Sequence, residues 1–103
     1  MTTVLFVVKA SITPEQEVAF NDWYNTEHCP QLLRYRGAVS ARRYKAILGE
    51  ERYQYMTLYE FESEETFRHF LASDHFAELK GEYDLNFGTT SDRVISAYVQ
   101  HWP

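Results

Sequence analysis

Apolar and polar positions follow one another along the chain in patterns that predict four strands and two helical regions. Residues 3–10 form an apolar, β-branched run typical of a strand that is buried on both faces. Thr13, followed by a proline, has the character of a helix N-cap, and the helical pattern continues to about Leu33. Pro30 lies inside this span. Because proline has no backbone donor, it predicts a kink or a break just after His28.

The second half of the chain predicts a hairpin, a second helical region and a last strand. In residues 52–61, tyrosines and a phenylalanine alternate with other side chains at period two, as in a strand. Ser63 and Ser73 each precede a helical pattern and predict N-caps, the second of them for a short continuation. The predicted elements are strands at 38–48, 52–61 and 93–102, a hairpin connection at 49–51, a helix continuation at 75–80 and a loop at 84–91.

The order of these elements, β-α-β-β-α-β, is that of the split βαβ unit and predicts an α+β, ferredoxin-like fold. In this fold a four-stranded antiparallel sheet carries both helices on one face, and the 103 residues suffice for one such domain spanning 1–103. The other face would be polar in a monomer, but Met56 and Leu58 lie opposite the tyrosines of the strand 52–61. In the last strand both faces are apolar, with Ile95 on one and Val94 on the other. Since both faces need cover, we predict a homodimer in which a second copy covers the bare face.

The composition argues against several classes of function. The formal charge of -5, with 15 acidic against 10 basic residues, argues against nucleic-acid binding. No apolar run approaches the ~20 residues of a membrane span, and no signal peptide is evident. The single cysteine excludes an internal disulfide, and we expect a cytoplasmic protein. Aromatic residues make up 17% of the chain and direct attention to the first helical region.

The stretch 20–30 places an unusual set of side chains on one helical face. Within an arc of about 140°, that face carries Phe20, Trp23, Tyr24, Glu27 and His28. A helix that only seals a core carries leucine, isoleucine and valine on such a face. Aromatic rings, a carboxyl group and an imidazole are more typical of the wall of a pocket.

His28 is the candidate acid or base of this face. Imidazole titrates near neutrality without any perturbation, and Tyr24, one turn earlier, is placed to donate a hydrogen bond to a developing oxyanion. Glu27 would orient the imidazole or act as a second base. The alternative stays open that His28 only caps the helix end and that Tyr24 is a core residue.

Further candidates lie outside this helix. Arg42 and Arg43 occupy adjacent strand positions and face opposite sides of the sheet, so either one of them reaches a cavity or both are solvated. His75 either covers a pocket mouth or lies exposed at a helix start. The spacing of the histidines and acidic residues argues against a metal site. Adjacent helical residues point about 100° apart, so Cys29 is expected to be a buried, inert thiol and not a partner of His28.

Three segments of the chain resemble one known family. They are residues 23–33 (WYNTEHCPQLL), 37–44 (GAVSARRY) and 67–76 (FRHFLASDHF). Over nearly its whole length the chain resembles the EthD-like branch of the dimeric α/β-barrel superfamily. The Trp-Tyr … His-x-Pro core of the first helix is the most specific part of that resemblance.

The resemblance implies a dimeric barrel of two sheets packed back to back, with a cavity between sheet and helices in each subunit. Relatives include cofactor-free monooxygenases of aromatic polyketides, polyketide cyclases, lactone isomerases, haem-binding decolorases and accessory proteins. In the cyclase- and isomerase-like members, a His–Tyr pair transfers protons in an apolar pocket. His28 and its helix neighbours match the family motif, whereas Tyr44, Tyr59 and His75 are assigned to the pocket by position. No residue matches a haem-ligand pattern.

We therefore expect a small enzyme that needs neither cofactor nor metal. It would act as an isomerase, cyclase, lyase or monooxygenase on an aromatic, lactone or polyketide-like molecule, with His28 and Tyr24 as catalytic residues. The predicted substrate-binding residues are Phe20, Trp23, Glu27, Arg43, Tyr44, Tyr59 and His75. The alternative is a non-catalytic dimeric binding or accessory protein whose cavity holds a hydrophobic metabolite. Neither nucleic acid nor a membrane is an expected partner.

Overall fold

The computed structural model describes residues 2–103, which form four strands and four α-helices. The strands are β1 (Val4–Ile12), β2 (Ala38–Lys45), β3 (Tyr55–Phe61) and β4 (Ser91–Val99). The helices are α1 (Glu17–Trp23), α2 (Cys29–Leu33), α3 (Glu64–Leu71) and α4 (Asp74–Phe87). A 3₁₀ turn at Pro14–Gln16 leads into α1, and a π-helical turn at Tyr24–His28 joins α1 to α2. The predicted order β-α-β-β-α-β is confirmed, with two α-helices in each helical region.

Strand β1 lies inside an antiparallel sheet whose strand order is β2-β3-β1-β4. It pairs with β3 on one side and β4 on the other, so that Phe6 lies between Tyr59 and Ala97. The apolar, β-branched sequence of β1 fits this inner position, where the strand is hydrogen-bonded along both edges and packed by its neighbours. This strand order confirms the predicted ferredoxin-like α+β fold.

One face of the sheet and the helices enclose the core. Alternate residues of β1, from Val4 to Ile12, are buried on this face because side chains of a strand alternate between its two sides. Both helical regions contribute mainly aromatic side chains, among them Phe20, Tyr24 and Phe70. The core is therefore a layer of rings between sheet and helices.

The opposite face of the sheet, called the bare face below, is not covered by any helix of residues 2–103. The register places the following apolar residues on it: Leu5, Val7, Met56, Leu58, Val94 and Tyr98. Charged side chains, those of Lys9, Arg42 and Glu60, are interspersed among them. Val94 and Tyr98 are exposed on this face.

The first helical region accommodates Pro30 without a break. The prediction of a kink or break after His28 is replaced by a wider turn, in which the Cys29 N–H donates to the carbonyl of Tyr24, five residues earlier. Pro30 has no N–H group to donate to the carbonyl four residues earlier. A π turn before it pairs each N–H with the carbonyl five residues earlier, and so changes which carbonyls need a donor. The predicted N-cap at Thr13 is only partly right, because the helical region does begin after it but its side chain makes no capping hydrogen bond.

The second helical region begins at the two predicted caps. The Ser63 and Ser73 hydroxyls each accept a hydrogen bond from a backbone N–H three residues later, at 3.1 Å. The predicted loop at 84–91 is wrong, because α4 continues through Gly81 to Phe87. Residues four apart on α4 are buried on one face, and this burial outweighs the roughly 1 kcal/mol cost of a helical glycine. Among residues 2–103, α4 is the longest helix at 14 residues, and none has the length and apolar character needed to cross a bilayer.

The strand ends differ from the prediction at several places: β1 continues to Ile12 instead of ending at 10, and β4 ends at Val99 instead of 102. Strand β2 ends at Lys45 and β3 begins at Tyr55, so the connection between them is longer than the predicted 49–51. Ile47 and Leu48 are 95% and 92% exposed in this connection, because no neighbouring strand or helix packs on them. Strand β4 begins at Ser91 instead of 93, since the first two residues pair with the end of β1.

Candidate active site

A cavity of about 260 Å³ lies between the sheet and the helices. Its walls come from the π-helical turn and α2, from α4, and from strands β1, β3 and β4. Its lining residues are Phe6, Val8, Tyr24, His28, Leu32, Tyr59, Phe76, Leu79, Lys80, Arg93 and Ile95. Phe6, Tyr24 and Tyr59 are buried and form its floor, whereas Lys80 and Ile95 are exposed and mark its mouth.

His28 is a buried residue of this cavity, with 6% of its surface exposed. Its ring stacks on Trp23, with centroids 4.3 Å apart and planes 21° apart, and meets the ring of Tyr24 edge-on at 5.1 Å. Within residues 2–103, the buried Nδ1 atom of His28 has no hydrogen-bond partner. Burial, and then the cations of Arg93 and Arg43, lower the pKa of His28 from 6.5 to about 4. The imidazole is therefore neutral at physiological pH.

The π-helical turn determines how His28 is held. In an α-helix, residues five apart lie about 140° apart around the axis, which would separate Trp23 from His28. The wider turn between Tyr24 and His28 brings the two rings to the same side, where they stack. Residues four apart are brought together by ordinary helical spacing, but the Trp23–His28 contact depends on the π turn.

Two buried phenols, Tyr24 and Tyr59, accompany the imidazole. Burial raises the pKa of both hydroxyls, because a low-dielectric environment disfavours phenolate, and both are neutral donors at physiological pH. The Tyr59 hydroxyl lies 3.8 Å from the Cys29 sulfur. Burial also raises the pKa of that thiol, so Cys29 is a buried neutral thiol and not a thiolate.

Arg43 supports Tyr24 from outside the cavity. Its guanidinium carbon lies 4.4 Å from the centroid of the Tyr24 ring and 5.3 Å from that of Tyr55. One guanidinium nitrogen donates to Asn25 Oδ1 at 3.0 Å. Neither predicted alternative for the arginine pair describes the structure: Arg43 faces the helices and packs on rings without lining the cavity, while Arg42 lies exposed on the bare face.

Several residues predicted for the pocket lie elsewhere. Phe20 is fully buried in the core and Trp23 contacts His28 without lining the cavity. Glu27 is exposed on the outer side of the helix, and Tyr44 lies on the bare face. At 100° per residue the edges of the 140° arc are Trp23 and His28, and Glu27 lies inside it, so helical spacing gave no signal that Glu27 faces solvent. The π turn changes which of these side chains face inward.

His75 also lies outside the cavity. Its Nε2 atom is 2.8 Å from the backbone carbonyl of Gln31, and its ring meets Tyr35 edge-on. This contact links the start of α4 to α2 and leaves His75 half-buried. Its role in the structure is to hold two helices together beside the cavity.

Arg93 is a cavity residue that the sequence reasoning missed. It lies in β4 opposite Ala10, on the face of the sheet that the helices cover. Its guanidinium carbon is 3.8 Å from the centroid of the Tyr83 ring, and one of its nitrogens is 3.9 Å from Asp84 Oδ1. The alternation of β4, which puts Arg93 on the same side as Ile95, was the available signal for this position.

The remaining missed residues belong to α2, α4 and the strands. Alternation in β1 carried a signal for Phe6 and Val8, whereas the positions of Phe76, Leu79 and Lys80 at the cavity depended on where α4 packs.

No group of three or more histidine, cysteine or acidic side chains among residues 2–103 is arranged to hold a metal ion. The chemistry available in the cavity is that of one neutral imidazole, two neutral phenols and two cations.

Comparison with known proteins places the chain in a family. Residues 3–101, nearly the whole chain, match the model of a family described as a domain of unknown function, DUF4286. No curated protein matches the chain.

Solved structures share the fold. An EthD family protein from Bacillus halodurans is 15% identical, with 100% of each chain covered and a TM-score of 0.69. SnoaB, a cofactor-independent oxygenase from Streptomyces nogalater, is 15% identical over 98% of this chain and 95% of its own, with a TM-score of 0.65. A Dabb family protein with a ferredoxin-like fold from Mesorhizobium loti is 10% identical over 99% of this chain and 100% of its own, with a TM-score of 0.72. At the level of fold, these structures confirm the resemblance to EthD-like proteins.

Proposed function

The chain belongs to the DUF4286 family, and we propose that it is a small enzyme that carries out acid/base chemistry on a carbonyl compound without a cofactor. The substrate would be an aromatic, lactone or polyketide-like molecule held in the cavity. The likeness in fold to SnoaB, described as a cofactor-independent oxygenase, supports an enzyme of this general kind. The residues that carry the proposal are those of the cavity itself.

The observation that carries the proposal is the position of the His28 imidazole, a titratable ring in the wall of the cavity that Tyr24 and Tyr59 also line. A side chain that only sealed a core would need no polar atom, so packing alone does not favour an imidazole there. The imidazole lines a cavity of the size that takes a small ring system, and burial keeps it neutral. A neutral imidazole in contact with a bound ligand is placed to accept a proton.

The proposed reaction begins with removal of a proton from the carbon next to a carbonyl. His28 accepts the proton, and the electron pair of the C–H bond moves to the carbonyl oxygen to form an enolate. The hydroxyls of Tyr24 and Tyr59 are neutral donors that stabilise this oxyanion. If the proton returns at another carbon, the reaction is an isomerisation. If the enolate carbon attacks a second carbonyl of the same molecule, the reaction is a cyclisation. If the enolate expels a leaving group from the β carbon, the reaction is that of a lyase.

A pKa of about 4 makes His28 a weak base in the empty cavity. The proton transfer becomes less costly when the imidazolium and the enolate form side by side, because each then provides the counter-charge of the other. The apolar walls lower the local dielectric constant and so strengthen this attraction. The proposal therefore favours substrates with acidic C–H bonds, such as those of a carbon between an aromatic ring and a carbonyl, or between the two carbonyls of a 1,3-dicarbonyl compound.

A proton-exchange experiment tests the proposal without knowledge of the natural substrate. The probe is 2-tetralone, a bicyclic ketone with acidic α-protons, and its exchange in D2O is followed by the loss of proton NMR signals. The protein should accelerate exchange above the buffer rate, and His28→Gln should remove about 100-fold or more of that acceleration. His69→Gln, an exposed position of α3, is the matched control and should behave like the wild type. Unchanged exchange in His28→Gln would falsify the proposed role of His28.

The alternative of a non-catalytic binding or accessory protein is favoured by one observation, the low basicity of His28. Under this alternative, 2-tetralone binds in the cavity and shifts the ring signals of His28, but its α-protons exchange at the buffer rate. Binding without acceleration would thus support the binding protein over the enzyme.

We also propose that a second copy of the chain covers the bare face. Monomeric proteins rarely expose large contiguous apolar patches, and Leu58, Val94 and Tyr98 form part of one here. Leu58→Glu should shift the protein from dimer to monomer in sedimentation at micromolar concentration. Leu85→Glu, an exposed position on α4, is the matched control and should leave the dimer intact. A wild-type monomer at these concentrations contradicts the proposal.

A further inference from the structure

We propose that the ligand of this cavity carries a carboxylate, which Lys80 and Arg93 bind at the mouth while its ring system lies over His28. The inference uses the same cavity as the proposed function but does not depend on the catalytic step. It concerns what the cavity recognises, and binding alone is sufficient to test it.

The charges of the lining are the first argument. Acidic residues outnumber basic ones 15 to 10 in the chain, yet both charged residues of the cavity, Lys80 and Arg93, are cations, and none is acidic. Charged residues taken at random from this chain would more often be acidic than basic. Two cations beside apolar walls therefore indicate a ligand that is both hydrophobic and anionic.

The second argument is that neither cation is fully satisfied within the protein. Within residues 2–103, no carboxylate lies within 4 Å of Lys80, whose ammonium nitrogen is 5.2 Å from the ring centroid of Phe76. Arg93 has one partner, Asp84, at the long distance of 3.9 Å, and the Asp84 side chain is 68% exposed. A long, solvated ion pair is weak, so it leaves the guanidinium able to bind a second carboxylate.

The position of Arg93 is the third argument. Its side chain is only 22% exposed, and stacking on Tyr83 at 3.8 Å holds the guanidinium plane in place. A planar guanidinium that is already held in place loses little freedom when it binds a carboxylate with two parallel hydrogen bonds. Lys80 on the opposite wall, in α4, would supply a second, more mobile charge.

The size of the cavity limits the rest of the ligand. An apolar cavity of about 150 Å³ is sufficient for benzene, so the 260 Å³ found here suits one or two fused rings. The walls that would enclose the rings are Phe6, Val8, Leu32, Phe76, Leu79 and Ile95. The ligand class is therefore a mono- or bicyclic carboxylic acid.

Calorimetric titration with two matched probes tests the inference. The probes are 2-naphthoate and 2-naphthamide, which share their shape and differ in charge. We expect the wild type to bind naphthoate about tenfold or more tightly than naphthamide. Lys80→Gln and Arg93→Gln should each weaken naphthoate binding about fivefold to tenfold and leave naphthamide binding unchanged.

Three further variants make the result specific. Arg68→Gln removes an equal charge from the exposed side of α3 and should leave naphthoate binding unchanged. Arg93→Lys, which keeps the charge, should recover part of the affinity if Arg93→Gln also disturbs packing on Tyr83. His28→Gln should still bind naphthoate within about threefold. Unchanged proton exchange in this variant together with selective naphthoate binding would mean that only the catalytic proposal fails, whereas lost exchange together with equal affinity for the two probes would mean that only this inference fails.

Several outcomes would overturn the inference. They are equal affinity for the two probes, absence of binding for both at millimolar concentration, and naphthoate binding that is insensitive to both cation substitutions. Tighter binding of 2-naphthyl phosphate than of naphthoate would overturn the assignment of a carboxylate in particular.

Discussion

Two aromatic regions lie side by side under the helices, one in which the rings pack on one another and one built around the cavity of the candidate site. Under α3, Phe61, Phe67 and Phe70 pack against one another with ring centroids 5.0 and 5.3 Å apart, and we call these three residues the phenylalanine cluster. Under α4 and the π-helical turn, Tyr24 and His28 instead face a cavity of about 260 Å³. Both regions are rich in rings, but their polar atoms differ.

The comparison shows that aromatic content by itself does not indicate a binding site. The phenylalanine cluster has no side-chain polar atom to satisfy, so close packing is its best arrangement. The cavity is lined by the imidazole of His28 and by two tyrosines, and burial raises the pKa of their hydroxyls. These groups gain more from a polar ligand than from closer packing of the protein around them.

The largest expected effect is on stability in the phenylalanine cluster. Phe70→Ala should lower the free energy of unfolding by about 4 kcal/mol, because a fully buried ring leaves a void in a packed region. Leu79→Ala, at the wall of the cavity, should cost only about 2 kcal/mol, since one side of Leu79 already lacks packed neighbours. Urea unfolding followed by circular dichroism measures both. Equal losses would contradict the difference in packing between the two regions.

The next largest effect is a pH dependence of stability that originates at His28. Its pKa is lowered to about 4 in the folded chain from 6.5, so between these values the unfolded chain binds a proton that the folded chain does not. Stability should therefore be lost as the pH falls from 6.5 to 4, by roughly 3 kcal/mol in total. His28→Gln should lack this part of the pH dependence in urea unfolding between pH 7 and 4.

The control for this prediction is His69→Gln, because His69 is exposed on α3 beside the phenylalanine cluster. This variant should lose stability with falling pH in parallel with the wild type. If the His28→Gln and wild-type curves also run parallel, His28 is not held neutral by burial.

A smaller effect is expected on proton exchange when one hydroxyl is removed from the cavity. Tyr24→Phe should slow protein-catalysed exchange of 2-tetralone about 30-fold, since the enolate loses one hydrogen-bond donor worth about 2 kcal/mol. Tyr35→Phe removes a hydroxyl from a ring that packs on Phe70, and it should leave exchange unchanged. NMR of the exchanging protons measures both variants, and equal rates for the two would rule out Tyr24 as an oxyanion donor.

The smallest effect comes from the two helix caps, which form a matched pair. Ser63→Ala and Ser73→Ala each remove one capping hydrogen bond of 3.1 Å, and each should cost about 1 kcal/mol of stability. Only Ser73 caps the helix that carries Phe76 and Lys80 into the cavity. Ser73→Ala should therefore also weaken naphthoate binding measured by calorimetry. Equal naphthoate affinity in the two variants would show that the Ser73 cap does not affect the cavity.

Much of the fold could be predicted because its signals are local. The apolar run of β1 and the serines at 63 and 73 depend on residues close to them in sequence, and the structure confirms them. The end of α4 could not be placed in this way. Gly81 and residues 88–90 suggest a loop locally, but burial of Tyr83 and Phe87 against the sheet extends the helix to Phe87.

The residues of the candidate site were likewise predictable only where they follow a local pattern. The helical pattern around His28 and Tyr24 identified two side chains that line the cavity, and position within the fold identified Tyr59. The same pattern also included Phe20 and Glu27, which lie in the core and in solvent. Periodicity defines a face of a helix, but the packing of the neighbouring elements decides which part of that face meets a cavity.

By itself, the sequence determined the order of the elements, the aromatic character of the layer between sheet and helices, and the presence of an imidazole and phenols within that layer. Alternation and helical spacing suffice for these features because they depend on positions close together in the chain. Only the tertiary structure decided that Lys80 and Arg93 meet His28 at one cavity, and that the imidazole there is neutral. Cavity, charge and burial depend on how α4 and β4 pack against the first helical region, and no local pattern specifies that packing.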